Sequence, residues 1–248
     1  STPIKSSAAS DVYKRQVKFL LKIKDRERMR FMKRFKLVVA YDGTNYCGWQ
    51  IQPNGITVEE VLNKTLSRFL KEEIHIIGAS RTDSGVHSFG NVAVFDSETT
   101  IPPEKLCFAL NPQLPEDIRI VSSEQVPGDF HPRYCDTRKT YEYHIQNGKI
   151  PLPTERLYSH LVIFPLDVEA MQEAGQYLVG THDFKSFCAS KTQVQTTVRT
   201  VTGIEVETHS LSEGEYPSQK VIIRVTGEGF LYNLSLIHIS EPTRLDVI

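Results

Sequence analysis

Ile74–Asp96, IHIIGASRTDSGVHSFGNVAVFD, sets a polar loop between two apolar runs. Ile74–Ile77 and Asn91–Asp96 are rich in β-branched and aromatic residues and predict two strands. Between them, Gly78-Ala79-Ser80-Arg81-Thr82-Asp83-Ser84-Gly85-Val86-His87 is the densest polar stretch of the chain. Glycines 78 and 85 permit tight bends at its two ends. Upstream, Phe35–Tyr41 (FKLVVAY) predicts a strand running into the turn Asp42-Gly43-Thr44-Asn45. Thr57-Val58-Glu59-Glu60 forms a capping box, in which the Thr57 hydroxyl accepts from the Glu60 amide and Glu60 reaches back. The helix it starts puts Val58, Val61, Leu62, Phe69 and Leu70 on one face, with Leu66 beside them, and ends near Lys71. Pro103–Leu110 predicts a short helix and Ile118–Val126 a strand.

A second, similar run of elements follows. Thr140–Gln146 (TYEYHIQ) alternates as a half-buried strand. Asp167 caps a helix whose Val168, Met171, Ala174 and Leu178 form one stripe, stopped at Gly180. Val198–Thr208 and Lys220–Thr226 predict strands joined by a turn at 212–218. Strands outnumber helices and no regular βαβ alternation occurs, so the fold class is α+β, with helices packed on largely antiparallel sheets. A boundary at Pro127-Gly128 divides 32–127 from 128–234.

At 248 residues the chain has room for one large or two small domains. Its composition, 40% apolar and 24% charged, excludes a disordered chain, a collagen-like repeat and a coiled coil. No apolar run approaches the roughly 20 residues of a membrane span. The net charge of −1 conceals an asymmetry, with twelve Lys/Arg against three Asp/Glu in residues 1–36. Residues 1–31 and 235–248 show no periodicity continuous with the middle. SSAASDVYKRQ and SLIHISEPTR resemble translated artefact sequence from assembled reads, so both ends are expected to be non-native flanks, with Met32 as the start. No secretion signal is evident, and a cytoplasmic location is expected. The four cysteines at 47, 107, 135 and 188 never form C-x-x-C, and no two histidines lie three or four residues apart. No metal site is expected.

The polar loop admits two readings: an ordinary Asx-type turn with a surface ion pair, or a loop presenting Asp83 as nucleophile or base with Arg81 beside it. A carboxylate with a pKa near 4 is already ionised at neutral pH, so it needs positioning more than activation. No Ser-His-Asp order, phosphate loop or dinucleotide fingerprint competes elsewhere. The second cluster, His131-Pro132-Arg133-Tyr134 with Arg138-Lys139-Thr140-Tyr141-Glu142-Tyr143, interleaves cations with rings. Such a pattern suits RNA, cations for phosphates and rings for unstacked bases, and equally suits a strand whose tyrosines cover a sheet. Trp49 is expected to pack in the core.

Seven segments in order carry a family resemblance: VAYDGTNYCGWQ (39–50), SRTDSGVHSFGNVAVF (80–95), ALNPQLPEDIRI (109–120), FHPRYCDTRKTYEY (130–143), GTHDFKSFC (180–188), VRTV (198–201) and GEGFLYN (227–233). Residues 35–234 resemble the TruA family of tRNA pseudouridine synthases. The resemblance implies two α+β halves meeting over a central sheet, and isomerisation of uridines at positions 38 to 40 of the tRNA anticodon arm. It implies Asp83 as the catalytic aspartate, Arg81 as the residue that helps extrude the target nucleotide, and Tyr141 as the aromatic that stacks on the uracil. Arg133, Arg138 and Lys139 are further candidates for RNA contact. The family needs neither metal nor organic cofactor and works as a homodimer. Where its members continue Met-Val-Arg after GFLYN, with an arginine that pairs with the catalytic carboxylate, this chain has Leu234-Ser235-Leu236. The family's closing helix and strand are missing as well, and impaired activity is expected. The alternative class, a non-catalytic RNA-binding α+β module, would have no need of Asp83.

Overall fold

The computed structural model describes residues 32–187 and 196–231. Two compact units make up the chain, one ending at Cys135 and the other beginning at Asp136, past the Pro127-Gly128 turn. The expected flanks, 1–31 and 235–248, lie outside the described residues.

In the first unit a four-stranded antiparallel sheet runs in the order β2-β3-β1-β4, built from β1 (Lys33–Tyr41), β2 (Ile77–Gly78), β3 (Ser88–Ser97) and β4 (Ile118–Val126). Alternation along β1 puts Phe35, Leu37, Val39 and Tyr41 in the core, where they meet Ala93, Phe95, Ile118 and Ile120 from its two neighbours. On the opposite face Arg34 and Lys36 carry charge. Arg34 grips Asp96 with two hydrogen bonds of 2.8 and 2.7 Å, and Lys36 reaches Glu124 at 2.6 Å.

Helix α1 (Val58–Leu70) covers the apolar face with Val58, Leu62 and Leu66. Its ends follow the sequence. Thr57 Oγ1 accepts from the Glu60 amide at 3.3 Å, and Lys71 closes the helix in the left-handed region at φ 59°. The Glu60 carboxyl is held below its ordinary pKa, chiefly by Lys64 one turn on, with a backbone hydrogen bond from Thr57 contributing. After β3 come a 3-10 turn (Pro103–Lys105), α2 (Leu106–Leu110) and a second 3-10 turn (Asn111–Gln113) in place of the single short helix expected.

The expected strand over Ile74–Ile77 is reduced to the two residues of β2. Ile74 and Ile76 are buried, but their amides donate to Ser67 Oγ and Asn63 Oδ1 of α1, each at 2.9 Å. Helix side chains thus take the place of a neighbouring strand, and an apolar run reads as β without forming a ladder.

The second unit is a five-stranded sheet in the order β6-β5-β9-β8-β7. Its strands are β5 (Lys139–Gly148), β6 (His160–Val162), β7 (Gly180–Asp183), β8 (Val198–Ser212) and β9 (Ser218–Gly227). Only the β5–β6 pair is parallel. The short strands β6 and β7 carry too few residues to announce themselves in sequence. Asp167 caps α3 (Val168–Gln176) by accepting from the Ala170 amide at 2.9 Å, yet the helix stops at Gln176, short of Leu178 and Gly180. Of the expected stripe, Val168, Met171 and Leu178 are half-buried and Leu178 packs on the second core, but Ala174 is exposed, and Gln172 and Gly175 face β8. Gln172 Oε1 accepts from the Val206 amide at 2.7 Å, and a Cβ on Gly175 would lie 2.9 Å from Ile204 Cγ2. A close backbone approach at Gly175 helps seat this helix. No helix among the described residues is long and apolar enough to cross a membrane.

Candidate active site

The polar loop links β2 to β3, and its backbone is tied at many points. At its start, Ala79 N–H donates to Val92 O at 2.7 Å. The Asn91 side chain then clamps Ser80, accepting from its amide at 3.2 Å and donating to its carbonyl at 3.1 Å. Further along, the segment following β1 takes over. Trp49 N–H donates to Thr82 O at 3.0 Å, while Gly85 N–H and Ser84 Oγ both donate to Tyr46 O at 3.2 Å. The Tyr41 hydroxyl shares a hydrogen bond of 2.8 Å with Thr82 Oγ1. At the far end, Gly43 N–H donates to His87 Nδ1 at 3.1 Å.

Two backbones approach so closely here that a side chain would not fit. Gly48 has φ +82°, and a Cβ there would stand 2.5 Å from Thr82 O and 3.1 Å from the Asp83 carbonyl carbon. That explains Gly48 in a tight turn, where only glycine combines positive φ with so little room. The segment 42–49 is itself fixed by Tyr46, a buried residue whose hydroxyl donates to Asp117 Oδ1 at 2.6 Å. Burial and that carboxylate together push the phenol well above its ordinary pKa. Trp49 is packed in the core at 1% exposure, tilted against Tyr41 with ring centroids 5.8 Å apart.

Asp83 therefore sits on a backbone that has little freedom, with its side chain partly exposed. Burial pushes its carboxyl above the ordinary aspartate pKa, and among the described residues no cation offsets this. Arg81, two residues before it, is exposed, and no ion pair joins the two among the described residues. Residues two apart on a tightly turned loop need not point the same way. A chemically competent arrangement results all the same, a fixed acid open to an approaching substrate and a cation beside it in sequence that is free to reach outward.

Arg133 stands in the first unit, and its Nε donates to Gly78 O at 2.8 Å, bracing the base of the loop. In the second unit, Tyr141 and Tyr143 lie on the same side of β5, and Tyr141 meets Phe230 edge to face with centroids 4.9 Å apart. Phe230 belongs to the GEGFLYN segment, so two of the quoted motifs come together at this ring. Lys139 starts β5 opposite Gly227, and Arg138 is exposed just before it. Asn91, Tyr41, Tyr46 and Gly48 were not singled out by the sequence as parts of the site. The one available signal was VAYDGTNYCGWQ standing among the quoted motifs without a chemical role. No group of three His, Cys, Asp or Glu among the described residues could hold a metal.

Residues 37–135 and 174–234 match the family model described as tRNA pseudouridine synthase. The chain belongs to the tRNA pseudouridine synthase family. Among its relatives, tRNA pseudouridine synthase A of Thermoanaerobacter sp. (strain X514) is 45% identical over 203 residues, covering 82% of this chain and 80% of that protein. tRNA pseudouridine synthase A 2 of Clostridium perfringens (strain 13 / Type A) is 46% identical over the same length and shares. tRNA pseudouridine synthase A of Clostridium acetobutylicum is 43% identical over 216 residues, 87% of this chain and 84% of that protein. Within this pseudouridine synthase the matched residues include the whole of the clamped loop and the segment that clamps it.

Proposed function

We propose that this chain isomerises uridine to pseudouridine at positions 38 to 40 of the tRNA anticodon arm, with Asp83 as the nucleophile. The observation that carries this is the Asp83 carboxylate, partly exposed on a loop whose backbone is bonded on both sides of it. In the reaction, the carboxylate attacks the target nucleoside and forms a covalent intermediate. The carboxylate bonds C1′ as the N1–C1′ bond breaks, the base turns, and C5 bonds C1′ as the Asp83–C1′ bond breaks and frees the carboxylate; the C5 proton leaves and N1 gains one, so product and substrate are isomers. A uridine stacked in an A-form stem hides this bond and must first be extruded, at a cost of a few kcal/mol. Exposed Arg81 repays part of this by occupying the vacated place, and Tyr141, held by Phe230, stacks on the uracil. The active form is a cytoplasmic homodimer.

Leu234-Ser235-Leu236 stands where the family has Met-Val-Arg, so the cation that would favour ionised Asp83 is not supplied there. A carboxyl raised by burial, with no opposing cation among the described residues, supports impaired turnover by the chain as it stands. Both points are tested by tritium release from tRNA labelled at uridine C5. Restoring Met-Val-Arg at 234–236 is expected to raise turnover, and Asp83→Ala in that background to abolish it while tRNA affinity stays within about twofold. Equal, robust turnover with and without Met-Val-Arg refutes the impairment. Turnover surviving Asp83→Ala refutes the nucleophile and leaves the chain an RNA-binding module.

A further inference from the structure

Granting the isomerisation proposed above, we propose that Phe89 is a stacking platform for the nucleobase next to the extruded uridine. β3 opens Ser88-Phe89-Gly90 directly after the loop that carries Asp83. Its pairing with β1 is regular from Ser97 back to Asn91, which faces Val39; Tyr41 then faces Ser88. Ala40 alone therefore stands opposite both Phe89 and Gly90, which makes a β-bulge. In an unbroken strand Phe89 would follow Phe95, Ala93 and Asn91 on the buried side. The bulge breaks that alternation, and the phenyl ring is 85% exposed. Bulges re-aim side chains in this way beside active sites.

The other edge of β3 shows what lies beside that ring. Ile77 faces Val94, Gly78 faces Ala93, the Ala79 amide reaches Val92 O, and Ser80 is clamped by Asn91. Continued by one step, this antiparallel register would set Arg81 opposite Gly90, the residue next to Phe89. Arg81 and Phe89, both exposed, thus lie two residues before and six residues after Asp83, at the start and just past the end of its loop. When a uridine is extruded, its neighbour loses a stacking partner, and an aromatic face with a cation for the backbone is what such a base and its phosphate accept. Phenylalanine has no polar handle, so the contact reads stacking and not base identity.

The test uses the full chain and an unmodified full-length tRNA transcript, with affinity measured across a salt series. Phe89→Ala is expected to weaken binding about five- to twentyfold, with the salt slope unchanged because no phosphate contact is lost, and Phe89→Trp to bind within about twofold of the unsubstituted chain. Trp49 is 1% exposed, so with the unsubstituted chain's emission subtracted the acrylamide-sensitive signal is that of the indole introduced by Phe89→Trp. Its emission is expected to be quenched, and protected from acrylamide, when tRNA binds. The ring is already in water, so neither variant should alter the melting temperature. Unchanged affinity in Phe89→Ala, while Asp83→Ala still abolishes turnover, overturns the stacking role and leaves the isomerase standing. A Phe89→Ala chain that loses self-association but keeps its tRNA affinity also overturns it, by assigning the ring to a second copy. Failure of the unsubstituted chain to bind tRNA overturns both.

Discussion

Gly48 and Gly85 both lie at positive φ, +82° and +77°, but only one of them is crowded. A Cβ on Gly85 would meet nothing within 4 Å, so Gly85→Ala carries the conformational penalty alone, about 1–2 kcal/mol. Gly48→Ala carries the same penalty and also drives a methyl to 2.5 Å from Thr82 O, which ordinary contact would hold about an ångström farther away. The Thr82–Asp83 backbone must give, and with it the 3.0 Å hydrogen bond from Trp49. Overpacking of this kind costs about 1–3 kcal/mol more. For a unit of about 100 residues each kcal/mol lowers Tm by roughly 4–8 °C. Gly85→Ala should therefore melt roughly 4–16 °C below the unsubstituted chain, and Gly48→Ala roughly 4–24 °C below Gly85→Ala. A displacement of that size at the reacting group also reduces turnover by about 100-fold. Thermal unfolding followed by circular dichroism, together with tritium release in the background carrying Met-Val-Arg, measures both effects. Equal melting of the two variants, or undiminished turnover in Gly48→Ala, would refute the claim that the 42–49 segment holds Asp83 in place.

Two further outcomes follow from the same site. Burial raises the Asp83 pKa, so the native chain holds that proton to higher pH than the unfolded chain does; stability is lost as pH rises through the raised value. Asp83→Asn is expected to raise Tm at pH 7, with the gain vanishing below about pH 4, where aspartate is protonated in both states; a gain that persists at pH 3 contradicts this. Arg133 and Arg138 are both exposed, but only Arg133 has a hydrogen bond to Gly78 O, and the two should separate when tRNA affinity and Tm are measured together. Arg133→Ala is expected to cost about 0.5–1.5 kcal/mol of stability, and Arg138→Ala to leave Tm unchanged while lowering the salt slope by about 1. The reverse pattern would make Arg133 the phosphate contact.

Local chemistry made much of the fold legible. Thr57 and Lys71 bound α1 where the capping rules put them, and the apolar alternation of β1 and the run of β4 depend on residues a few positions apart. What escaped depends on partners far along the chain. Ile74 and Ile76 read as strand because nothing nearby reveals that Ser67 and Asn63 will take their amides. The bulge at Phe89 exists only in the register between β1 and β3. Of the site, the acid and its loop were visible as an unusual density of polar groups. The clamp was not, because Gly48 and Tyr46 act through backbone proximity, which leaves no pattern in composition.

The placing of β1 at the middle of its sheet has a bearing on how the protein is made. Arg34 and its partner Asp96 are 62 residues apart, and Lys36 and Glu124 are 88 apart. On the ribosome, β1 therefore emerges long before either flanking strand exists, and at about 5–20 residues per second its second neighbour arrives roughly 5–20 s later. Until β3 emerges an apolar ribbon has two open edges, and until β4 emerges it keeps one, whereas β8 and β9 meet as a hairpin almost as soon as they are translated. Yield on expression should accordingly be governed by nascent-chain protection of the N-terminal unit, through slower growth or added holdase, more than by the stability of the finished molecule.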